Sequence, residues 1–98
     1  MIEFIEKLPK VERGRTLAIF ESGQHYGLSS LNTRQIDGKI WEIKTYRHNR
    51  FFYFRHHDQL ILFYALKKQK PRLQRLELNQ IQRRFQEAVL TLNIKEAQ

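Results

Sequence analysis

The sequence predicts an α+β domain: N-terminal helices, then a three-stranded antiparallel sheet, then a C-terminal helix. Three observations carry this. Apolar residues recur at helical spacing before about Gln24 and again beyond Pro71. β-branched and aromatic residues concentrate between Ile40 and Leu66. The polar breaks inside that stretch are too short for crossovers, so its strands must pair as antiparallel neighbours. Helices segregated to one face of such a sheet would leave its other, concave face open for a ligand.

The elements follow in order. Ile2, Ile5 and Leu8 have the spacing of a short helix, and Pro9 suits the first position of the next one, where a missing N–H costs nothing. That second helix runs to about Gln24, burying some of Val11, Leu17, Ala18 and Phe20, with Gly23 and Gly27 as stop signals. Residues 28–38 read as a polar loop ending in the turn dipeptide Asp37-Gly38. Ile40 to Tyr46 is the first strand, its alternation setting Trp41, Ile43 and Thr45 on one face and Glu42 and Lys44 on the other. Trp41 reads as a core anchor. Phe51 to Phe54 forms the second strand, His56-His57-Asp58-Gln59 a hairpin tip, and Leu60 to Leu66 the third strand. Pro71 opens a last helix whose stripe is Leu73, Leu76, Ile81, Phe85, Ala88 or Val89, and Leu92.

Composition narrows the function classes. With 98 residues the chain is one domain, 1–98, and it holds no cysteine, which excludes disulfides and thiolate metal sites. The N-terminus lacks the pattern of a signal peptide, and no apolar run approaches the roughly 18 residues that span a bilayer, so the expected compartment is the cytoplasm, with no membrane partner. Lys and Arg number 18 against 10 Asp and Glu, a net charge of +8. Between Lys44 and Arg75 the imbalance is sharper, with Asp58 as the one acid among nine bases. Such a stretch attracts polyanions without choosing among nucleic acid, an acidic membrane and an acidic protein. His56-His57-Asp58 is a metal cluster on paper only, because adjacent residues point apart and nothing nearby completes a ligand set.

The run Asp37-Gly38-Lys39-Ile40-Trp41-Glu42-Ile43-Lys44 resembles the phage-derived, HigB-like branch of the RelE/ParE toxin superfamily. So do Gly27, Arg50 opening the next strand before Tyr53-Phe54, the Leu60–Phe63 strand, and Lys67-Lys68 before Pro71. The ordered set covers nearly the whole chain. Three features depart from the family pattern: the chain begins almost inside the first helix, Lys67-Lys68-Gln69-Lys70-Pro71 is shortened, and Phe63 or Tyr64 replaces a histidine common on the third strand.

The resemblance implies a RelE-like fold and the toxin of a type II toxin–antitoxin pair, a ribosome-dependent mRNA endoribonuclease that needs no metal or other cofactor. Its partners would be mRNA, the ribosome and a HigA-like helix-turn-helix antitoxin, with operator DNA reached only through the complex. The ribose 2′-OH would attack the adjacent phosphate, which calls for a proton acceptor, a proton donor and cations around the transition state. Arg50 is the first candidate for the phosphate clamp, since a guanidinium grips two oxygens at once. Lys67 and Lys68 would hold the scissile or neighbouring phosphate, and His48 is the candidate base, a lysine among cations the other possibility. Lys44, Arg47 and Lys70 would extend the RNA track. Tyr46, Tyr53 or Tyr64 would stack on an unstacked base. Two alternatives stand beside this reading: a non-enzymatic toxin of the same fold that binds gyrase or another partner, and a small nucleic-acid-binding accessory protein. The departures from the family pattern favour the first of these.

Overall fold

The computed structural model describes residues 2–27, 31–57, 59–68, 70 and 72–97, with the backbone alone for Ile2, Tyr46 and 93–97. The expectations placed on Asp58, Gln69, Pro71 and the Tyr46 ring lie outside the described residues.

Helix α1 spans Ile2–Glu6 and α2 spans Lys10–Tyr26. Pro9 stands one position outside α2, with φ −53° and ψ 150°, and its carbonyl accepts the Arg13 N–H at 2.9 Å. Gly27 stops α2: its φ of 90° is open to glycine, and its N–H returns to the Gly23 carbonyl. Gly23 itself stays helical. A Cβ there would come within 2.6 Å of the Leu31 side chain, so this glycine lets Leu31 pack close to the helix.

The sheet has four strands, β1 (Thr33–Asp37), β2 (Ile40–Lys44), β3 (Asn49–His56) and β4 (Gln59–Lys67), antiparallel in the order β1-β2-β3-β4. The expected sheet of three is therefore corrected to four. Strand β1 has the polar sequence TRQID, a composition that predicts loop. Pairing makes it a strand: Thr33 faces Ile43, Arg34 faces Glu42 and Gln35 faces Trp41. Gly38, with φ 54°, closes the turn to β2.

The helices cover both faces of the sheet, which overturns the expectation of one open concave face. Neighbouring residues on β3 point to opposite sides, so Phe51 meets Phe4 of α1 and Phe20 of α2 edge-on, at 5.5 and 4.9 Å between ring centroids. On the other side Phe52 joins Ile40 and Ile81 in the core, and Phe54 meets Phe85 of helix α3 (Arg75–Ala97) at 5.2 Å. Burial on both faces explains why β3 reads as an unbroken apolar run.

Helix α3 starts at Arg75, later than Pro71 suggests, because the Glu77 carboxylate accepts the Gln74 N–H at 2.8 Å. This is half of a capping box. Helix α2 is rotated from its expected face, with Val11, Leu17 and Ala18 exposed, Thr16 buried and Phe20 half-buried against the sheet. Helix α3 keeps its expected stripe at Leu73, Ile81 and Phe85, and Leu76 alone leaves it. In β2 the expected alternation holds and Ile43 and Thr45 are buried, but Trp41 is 36 % exposed and Glu42 only 3 %. Trp41 is no core anchor. No described helix is long and apolar enough to cross a membrane.

Candidate nucleic-acid interface

The sheet-facing stripe of each long helix begins with a glutamate. On α2 the stripe is Glu12, Thr16, Phe20 and Gly23; on α3 it is Glu77, Ile81, Phe85 and Ala88. The two glutamates flank the end of β4, where Lys67 and Lys68 point to opposite sides. Lys67 Nζ lies 2.7 Å from Glu12 and Lys68 Nζ lies 2.8 Å from Glu77. The adjacent lysines therefore tie different helices to the strand and do not share one phosphate site. The expectation that both lysines hold the scissile or neighbouring phosphate is thereby corrected.

On the α3 side, Arg34 faces Glu42 across β1–β2, and Arg50 lies diagonally beside Glu42 across β2–β3. The Glu42 carboxylate takes Arg34 Nε at 3.0 Å and an Arg50 Nη at 3.2 Å. The other Arg50 Nη donates to the Lys70 carbonyl at 3.1 Å. Arg50 is 1 % exposed, so it is locked into the fold before any substrate arrives. Asn32, Arg34, Glu42, Lys44 and Arg50 line a hollow of about 190 Å³. Lys44 also borders a wider groove of about 470 Å³ against Arg15, Ala18, Ile19 and Ser22 of α2. Of the expected cations, Arg50 and Lys44 thus share a hollow, Lys68 is buried nearby against Glu77, and Lys70 is exposed. The Lys68 hydrogen bond, then the Gln74 N–H, hold the Glu77 carboxyl below the usual carboxylate range, with a smaller pull from Arg50.

On the α2 side, Glu12 accepts Asn49 Nδ2 at 3.2 Å as well as Lys67, and Lys67 lowers its pKa against the opposing effect of burial. Arg47 adds a weaker pull on the same carboxylate. Arg47 and His48 are exposed and sit in a tight turn with φ of 61° and 65°. Side chains rarely adopt that conformation, which costs roughly 1–2 kcal/mol per residue. The turn is held by Thr45, whose N–H and hydroxyl both donate to the Asn49 carbonyl, and by the Lys68 N–H on the His48 carbonyl.

The expected stacking platform is not formed by the tyrosines described. Tyr53 is buried, which pushes its phenol pKa up, and Tyr64 packs in the α3-side core near Phe52. His56 and His57 sit at the β3–β4 hairpin with ring centroids 4.3 Å apart. Among the described residues no group of three or more His, Asp or Glu gathers as a metal site.

Arg34 and Arg15 are the site residues the sequence reading missed. The register of β1 against β2 brings Arg34 to Glu42, and a polar stretch taken for loop carried no signal of it.

Residues 3–86 match the family described as Phage derived protein Gp49-like (DUF891). The chain belongs to this family. Gp49-like proteins are associated with RelE-type toxins and are commonly the toxin of a toxin–antitoxin pair. The matched segment of this Gp49-like chain runs from α1 into α3 and includes all the charged residues assembled above. No curated protein matches the chain.

Proposed function

We propose that this Gp49-like protein is a RelE-fold, HigB-type toxin that cleaves messenger RNA on the ribosome without a metal and so arrests translation. A cognate helix-turn-helix antitoxin would hold it inactive in the cytoplasm. The observation that carries the RNA reading is the hollow lined by Arg34, Lys44 and Arg50; Lys44 also borders the separate groove that holds Arg15. Three cations around one small opening suit a phosphodiester.

The roles follow from burial. Arg34, with 45 % of its side chain exposed, and Lys44 are the groups a phosphate can reach. Arg50 acts through Glu42 as a positioning residue. In the cleavage step the 2′-OH gives its proton to a base, O2′ bonds to phosphorus, and the P–O5′ bond breaks with proton return to O5′. His48, exposed in its strained turn, is the candidate base, and Arg47 beside it extends the phosphate track.

Induction of the chain in a bacterium is expected to stop growth and to yield mRNA fragments with cyclic-phosphate and 5′-OH ends. Arg34→Ala and Lys44→Ala should each restore growth while the protein still melts cooperatively. Unimpeded growth with soluble wild-type protein would sink the toxin reading. Growth arrest with intact mRNA would sink the nuclease and leave a toxin that acts by binding a protein target such as gyrase. The carboxylate partners of Arg50, Lys67 and Lys68 favour that second reading, since they already occupy the charges a phosphate would seek.

A further inference from the structure

The two edges of the sheet are unlike each other. Strand β1 is five residues long, carries Arg34 and Asp37, and has a bulge between Gln35 and Asp37. Short length, charge and bulges are the devices by which proteins blunt an edge. Strand β4 shares the bulge, at Phe63, and carries Lys67 at its end, but it is not short. It is nine residues long, ends the strand order, and runs Leu60–Leu66 without a charge or a proline. Among the described residues no other segment forms backbone hydrogen bonds with that stretch beyond its pairing to β3.

Beside this edge the α2 layer is incomplete. A hollow of about 390 Å³ lies between α2 and the β3–β4 hairpin, lined by Phe20, Leu31, Ile43, Leu60, Leu62 and Arg55. Leu60 is 40 % exposed. An edge with free backbone groups and an apolar hollow next to it offers both parts of strand recognition: main-chain bonds for affinity and a pocket for alternate side chains.

We propose that β4 is a docking edge for an extended segment of a partner protein, apolar at its centre and acidic at its ends. Charge selects this occupant. The chain carries +8, and Gln59–Lys70 contains no acid but holds Lys67, Lys68 and Lys70. A second copy of the chain would bring +8 against +8, whereas a carboxylate-flanked strand is drawn in. The proposal does not depend on RNA cleavage, so the two fail separately.

The test uses the full chain and a synthetic end-capped peptide with a central valine–isoleucine run flanked by glutamates. Binding should slow hydrogen exchange of amides between Leu60 and Lys67 by about tenfold or more, with β1 unaffected. Leu60→Glu, a change at an exposed position, should weaken binding by about tenfold by placing a like charge on the edge. A peptide with its central residues N-methylated should lose protection. Equal binding of a lysine-flanked peptide, or protection on β1 in place of β4, would overturn the proposal. So would a concentration-dependent dimer of the chain alone that protects β4, since a second copy would then be the occupant.

Discussion

The two sides of the sheet meet the same problem, a row of cations at the open end of β3 and β4, and resolve it differently. On the α3 side Glu42 and Arg50 are 3 % and 1 % exposed, and a second arginine completes the cluster. On the α2 side Lys67 pairs with Glu12 while 47 % of its side chain remains in water. The chemistry is alike and the consequences are not. A buried carboxylate that loses its guanidinium, or the reverse, leaves a charge in a low dielectric, whereas water replaces a partner lost at the surface. The α3-side cluster therefore locks the fold, and the α2-side pair contributes little to it.

The largest expected effect tests the lock. Glu42→Ala should cost about 3–5 kcal/mol in urea denaturation, because it removes the carboxylate between Arg34 and buried Arg50. Arg50→Met should cost less, since Glu42 keeps Arg34 as a partner and the replacement fills similar space. Equal losses in the two variants would mean that the cluster does not work through Glu42. Such destabilisation also means that loss of toxicity in an Arg50 variant is no sign of a catalytic arginine unless folding is measured alongside.

Acid comes next. The carboxyls of Glu12 and Glu77 titrate below 4.5 in the folded chain and near 4.5 when unfolded. Folding is therefore favoured by these groups above the unfolded value, and that contribution is lost as pH falls through the folded value. The melting temperature should drop as pH is lowered from about 4.5. Glu77→Gln and Glu12→Gln should each melt lower at neutral pH and lose less on acidification. Wild-type-like acid sensitivity in both variants would assign the loss to other carboxylates.

The smallest effect belongs to the surface pair. Lys67→Ala should leave the melting temperature at physiological salt nearly unchanged, with a slight loss appearing only at low ionic strength. A loss rivalling that of Glu42→Ala would erase the distinction between the two sides.

Much of the fold was legible in the chain, for reasons that can be named. Pro9 and Gly27 mark the ends of α2 by local backbone chemistry, and the short breaks after Lys44 and His56 force antiparallel pairing. Phe51 to Phe54 held a clue to helices on both faces, since a strand without alternation has no solvent side. The alternation of Lys67 and Lys68 was likewise open to reading: neighbours on a strand cannot grip one phosphate. Strand β1 was not legible, because TRQID has no strand composition of its own and exists by pairing. The facing of Trp41 and Glu42 was hidden for a related reason. A tryptophan outside and a glutamate inside invert the hydrophobic rule, and only the two arginines around Glu42 make that inversion tolerable.

By itself the sequence determined what depends on local or summed properties: an α+β domain, its helix ends and hairpins, a strongly cationic stretch, and a resemblance spread along the chain. The tertiary structure decided which cations meet. It set Arg34 and Arg50 on one carboxylate, parted Lys67 from Lys68, and made β4 the longer of the two sheet edges. Those outcomes rest on strand register and on which face each helix covers, and both are fixed by contacts between residues far apart in the chain.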